Sequence, residues 1–174
     1  MPPPDPWTEF AQTLREGMVK SGIFKDDLVS TAIEKLKARF NHIDNLTFMG
    51  ALQNGQTLTL AEKRKLGLSS RKKYDAGFLA FIDFKNLKGR DPRDVYGAVF
   101  SAAWFLTKRR MDLARIRMNG LFKAVDILIL DDCSVVKNAP KKYAIADVPD
   151  LPLPGCTVEC CRCIYIVGEM IDFE

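Results

Sequence analysis

The sequence predicts an α+β fold, a mainly helical N-terminal part (residues 1–120) packed on a small cysteine-rich β module (residues 121–174). Three observations lead to this expectation. Apolar residues recur at helical spacing until Gly120 breaks the pattern. Runs of strand length, rich in leucine and β-branched residues, follow it. Among those runs lie clustered prolines and the segment PGCTVECCRC (154–163), which holds four of the chain's five cysteines.

The first helix is expected over 7–21, where Phe10, Leu14 and Met18 repeat every four residues and Gly22 offers a stop. A second spans about 26–40, with Leu28, Ala32, Leu36 and Phe40 on one face. Asp26 and Asp27 suit its positive N-terminus. Residues 44–59 carry turn formers and little period, so they read as a loop with an apolar hook at Phe48 and Met49. Thr59 then caps a short helix with Glu62 at the capping-box position, and Gly67 ends it. Another short helix follows within 71–84, with Phe78, Leu79, Ile82 and Phe84 spread too broadly for one face.

Residues 92–119 form the clearest element, with Asp91 as N-cap, Pro92 at the tolerated first position and Gly120 beyond the end. Its first half is expected to be core, along a stripe of Val95, Val99, Ala102 and Leu106 with Phe100, Trp104 and Phe105 beside it. Its second half turns basic. AVDILIL, KKYAIADV and CRCIYIVG are then three strand candidates, and the prolines of VPDLPLPG impose an extended path between the last two.

With 47% hydrophobic and 28% charged residues over 174 positions, composition excludes a disordered chain. MPPPDPW lacks a basic segment leading into an apolar one, and no apolar run exceeds seven residues. A cytoplasmic (or virion-associated) protein without a membrane span is therefore expected. An odd cysteine count without an export signal argues against a disulfide framework.

The thiols are better matched to one structural zinc ion, which four thiolates hold at about 2.3 Å in modules too poor in core to hold themselves. On an extended segment Cys161 and Cys163 point to one side and Cys160 to the other. The expected ligands are Cys133, Cys156, Cys161 and Cys163. The alternative replaces Cys161 by Cys160 to give a C-x-x-C pair, and buried thiols without metal are the plainer possibility.

DDCSVVKNAPKKYAIADVPDLPLPGCTVECCRC resembles the C-terminal cysteine-rich segment of phage head-morphogenesis proteins of the Mu protein F-like type. Asp132 and Cys133 open it, Lys142 and Tyr143 stand at its strand, Pro152 and Pro154 lead in, and Cys161-Arg162-Cys163 close it. The resemblance covers residues 112–171. The family's second cysteine falls at Val136 here, and no histidine precedes the final cysteines; Cys156 stands where it could replace one. The resemblance implies a metal-stabilised module and a phage or prophage association, and no activity.

His42 is the only histidine, which leaves Ser-His-Asp and Cys-His schemes without a second one, and it reads as structural or solvent-facing. Asp131 and Asp132 read as a turn rather than an acid-base pair. Lys108, Arg109, Arg110, Arg115 and Arg117 could face phosphates, or simply form the solvated end of a helix whose dipole favours cations. The expected function is thus a non-enzymatic interaction or assembly protein with a protein partner. A nucleic-acid-binding module using those five cations is the first alternative. A nuclease or ADP-ribosyltransferase-like toxin is the second, disfavoured by the lack of a Glu-x-Glu site.

Overall fold

A computed structural model describes residues 5–38, 49–129, 134–156 and 161–167, apart from the side chains of Met49 and Val136. The fold is α+β: helices up to residue 119, then a small three-stranded antiparallel sheet. The chain forms two compact units, residues 11–100 and residues 1–10 with 101–174. The second half of the long helix belongs with the sheet, because Leu113 and Ile116 lie in the same core cluster as Val125, Ile127 and Tyr165.

Helix α1 spans Pro6–Ser21 and α2 spans Asp26–Lys37. Phe10, Leu14 and Met18 are fully buried, as their spacing requires. In α2 the buried face is Val29, Ala32, Ile33 and Leu36, while Leu28 is half-buried; Phe40 and His42 lie outside the described residues. Gly22 follows α1 at φ 65°, the left-handed conformation that a helix stop asks of a glycine.

Three short helices come next in the unit of residues 11–100: α3 (Met49–Leu52), α4 (Leu60–Lys65) and α5 (Ala76–Leu79). The reciprocal capping box of Thr59 and Glu62 starts α4. Asp75 caps α5 and also accepts the N–H groups of Asn54 and Gly55, both at 2.9 Å, so one carboxylate ties two stretches of chain together. Tyr96 closes this unit's core, edge-on to Phe24 and Phe78.

Helix α6 runs Pro92–Asn119 between the stop signals read from sequence. The Asp91 carboxylate accepts the Arg93 N–H at 2.8 Å and the Tyr74 hydroxyl, and Lys72 lies 3.2 Å away. The inward face is displaced from the expected stripe. Val95, Val99, Ala102 and Leu106 are half-buried, whereas Tyr96, Phe100, Ala103 and Thr107 are buried. On that face Tyr96 and Phe100 pack against each other, with ring centroids 6.0 Å apart. Trp104 is half-buried and stands edge-on to Phe10, with ring centroids 6.3 Å apart.

Strands β1 (Ala124–Leu128), β2 (Lys142–Ala144) and β3 (Ile164–Val167) pair in the order β2-β1-β3, both pairs antiparallel. Val125 faces Tyr143 and Val167, and Ile127 faces Tyr165. A one-turn helix α7, Ser134–Asn138, precedes β2 and has no periodic signal in the sequence.

Candidate functional site

The cysteines sit in the core of the sheet unit. Leu113 and Ile116 from α6, Val125 and Ile127 from β1, and Tyr165 from β3 surround Cys161 and Cys163. The proline-rich segment closes over this cluster by alternation, with Leu151 and Leu153 buried and Pro152 and Pro154 exposed. Tyr165 fastens that segment: its hydroxyl donates to the Pro149 carbonyl at 2.7 Å and accepts the Leu151 N–H at 2.9 Å. Burial first, with the nearby Asp150 charge adding to it, outweighs the Leu151 N–H and pushes the Tyr165 hydroxyl up to about 12, so it remains a neutral donor.

Cys161 and Cys163 are buried and Arg162 between them is exposed, the pattern of an extended chain leading into β3. Both are free thiols, and both lie in the same core cluster. Burial, together with the neighbouring Cys163, pushes the Cys161 thiol above its ordinary value; the Cys163 backbone N–H and the positive charge of Arg109 pull against that rise. Cys156 is half-buried and packs against the same cluster, in the turn closed by its N–H to the Leu153 carbonyl at 3.0 Å. Cys133 and Cys160, with Asp131 and Asp132, lie outside the described residues.

A structural zinc site asks for four ligands. Among the described residues no three His, Cys, Asp or Glu side chains come together as a metal-binding group. Cys156, Cys161 and Cys163 are therefore not gathered as ligands; what Cys161 and Cys163 offer such a site is two thiols shielded from water in one core cluster, with Cys156 packed against it. The chemistry beside them also fits. Arg109 is 3% exposed, and its guanidinium donates to the Cys161 carbonyl at 2.6 Å and the Cys163 carbonyl at 3.3 Å. Its Nε has no hydrogen-bond partner among the described residues. A buried cation of this kind favours an anionic neighbour.

Burial of Arg109 separates it from Lys108, Arg110, Arg115 and Arg117, with which the sequence grouped it as a phosphate-facing or merely solvated helix end. A phosphate cannot reach it. Lys108 pairs with Asp112 at 2.6 Å, and Arg110 pairs with Glu9. Arg117 donates to the Val148 carbonyl at 3.2 Å, and Arg115 is exposed. One of the five cations is therefore core, and three are engaged with groups of the chain itself. Sequence reasoning missed the role of Arg109, although a signal existed: positions 109, 113 and 116 follow helical spacing, and the last two are apolar.

Among the described residues no helix is long and apolar enough to cross a membrane. No family model, curated protein or solved structure matches the chain.

Proposed function

We propose that this chain is a non-enzymatic interaction or assembly protein of phage or prophage type, whose β module is held by one structural zinc ion. The observation that carries the reading is the burial of the Cys161 and Cys163 thiols in one core cluster, with a buried arginine bonded to both of their carbonyls. Cys133, Cys156, Cys161 and Cys163 would hold the metal, with Cys160 as the substitute for Cys161. The burial of Cys161 together with Cys163 in one core cluster supports the first set. Zinc would supply a cross-link between the proline-rich turn and the start of β3, in a unit whose described residues form three short strands.

The interaction half of the reading rests on the resemblance over residues 112–171 and on the outer side of the sheet. Leu128 and Ile166 are 39% and 40% exposed there, on the side opposite Val125, Ile127 and Tyr165. Apolar side chains left in water on a sheet face are suited to protein contact. Three serine variants test the metal half. Cys163→Ser and Cys161→Ser should lose the ion, and Cys160→Ser should keep it. Metal retained in Cys161→Ser and lost in Cys160→Ser would establish the other ligand set. Cosedimentation with head proteins expressed from the neighbouring genes tests the assembly half, and a chain that joins no such particle would contradict it.

A further inference from the structure

Arg109 lies on the inward stripe of α6, four residues before Leu113 and seven before Ile116, both core residues. A guanidinium does not give up its proton in a protein, so the charge stays in the core. Leaving such a charge without compensation costs several kcal/mol. The Cys161 and Cys163 carbonyls solvate one nitrogen of the fork at 2.6 and 3.3 Å, but carbonyl dipoles do not neutralise a cation. None of the ion pairs among the described residues includes Arg109, and its Nε is unpartnered. The two bonds of the guanidinium run to the Cys161 and Cys163 backbone, which makes the thiol side of the site the place where negative charge can be matched.

Building on the zinc reading, we infer that Arg109 is the counter-charge and positioning residue of the cysteine site. A divalent cation on four thiolates keeps two negative charges in excess. The buried guanidinium offsets part of that excess where water cannot. Its bonds to two alternate carbonyls also fix the Cys-Arg-Cys backbone, so that both thiols face the same point. The site is therefore built for a soft divalent cation bound as an anionic thiolate complex, and Arg109 raises its affinity from outside the ligand set.

The test measures zinc affinity in the whole chain by competition with a chromophoric chelator, for wild type, Arg109→Met and Arg109→Lys. Outer-shell partners of metal ligands typically contribute about 10- to 100-fold in affinity. Arg109→Met should lose that much, and Arg109→Lys, which keeps the charge without the fork, should recover part of it. A second readout separates charge from mere support. In the Co(II)-loaded protein the thiolate-to-metal charge-transfer band should shift to lower energy in Arg109→Met, because removing a positive charge makes the sulfur electrons easier to withdraw. If Arg109→Met does not fold, Arg109→Lys carries the test: affinity lost only in part with the band near wild type supports the counter-charge, and a full loss overturns it. Wild-type zinc binding with Arg109→Met unchanged in affinity and spectrum would overturn the role of Arg109 and leave the zinc site standing. A wild-type chain that binds neither zinc nor Co(II) would overturn both.

Discussion

Replacing Asp75 with Ala should cost the unit of residues 11–100 about 2–3 kcal/mol. Four backbone N–H groups converge on this carboxylate. Two belong to the first turn of α5, Gly77 N at 2.8 Å and Phe78 N at 3.3 Å, and losing an N-cap costs about 1 kcal/mol. The other two, Asn54 N and Gly55 N at 2.9 Å, come from the preceding loop. They are solvent-exposed, so water competes for them and each contributes about 0.5–1 kcal/mol. Asp75→Asn keeps one acceptor oxygen and should lose roughly half as much. The pH dependence gives a second check. Burial raises the Asp75 carboxyl, but the N–H bonds from Asn54, Phe78, Gly77 and Gly55 outweigh it and hold the folded-state value below the ordinary 3.8. A depressed carboxylate stabilises above its unfolded-state value and loses that contribution as pH falls through its folded-state value. The difference between wild type and Asp75→Ala should therefore be constant from neutral pH down to about 4 and shrink below it. Urea unfolding followed by far-UV circular dichroism measures both. A loss under about 0.5 kcal/mol, or a difference unchanged well below pH 3, would refute the convergence of these four donors.

Gly77→Ala should destabilise the same unit by about 1–3 kcal/mol despite alanine's better helix propensity. An added Cβ would stand 2.7 Å from Asn54 N and 2.8 Å from Leu52 O, both backbone atoms that cannot swing aside. A stabilised variant in thermal melts would show that the close approach is absent. Phe10→Ala should cost about 3–5 kcal/mol because the ring is fully buried. Half-buried Trp104→Ala should cost about 1–2 kcal/mol. Equal losses in denaturant titrations would contradict the burial difference between the two rings.

The sequence was most legible where local chemistry decides the structure. Asp91, Pro92 and Gly120 bracketed α6 correctly, and Thr59 with Glu62 marked α4, because caps act within one turn of chain. AVDILIL showed itself as a strand because its apolar run is too short for a helix. The rotation of α6 was not legible: apolar residues occupy several sides of its first half, and only packing against Phe24 and Phe78 selects the Tyr96 and Phe100 side. Arg109 was misread for a related reason. Charge pattern places arginine in water by default, and the partners that hold it inside, the Cys161 and Cys163 carbonyls, lie more than fifty residues away in sequence. The same-side placement of Cys161 and Cys163 was visible from alternation alone. Helix α7 was not, since SVVKN is a single turn with two β-branched residues.

Metal content of the purified chain is the most direct test of a β module held by cysteine-bound zinc. Elemental analysis should find about one zinc per chain, as a four-thiolate structural site requires. Because binding such an ion is folding free energy, chelation should strip hydrogen-exchange protection from β1, β2 and β3 while α2 keeps its own. Metal-free protein with five titratable thiols, whose exchange pattern is the same with and without chelator, would contradict the zinc site and leave Cys161 and Cys163 as buried thiols of an ordinary core.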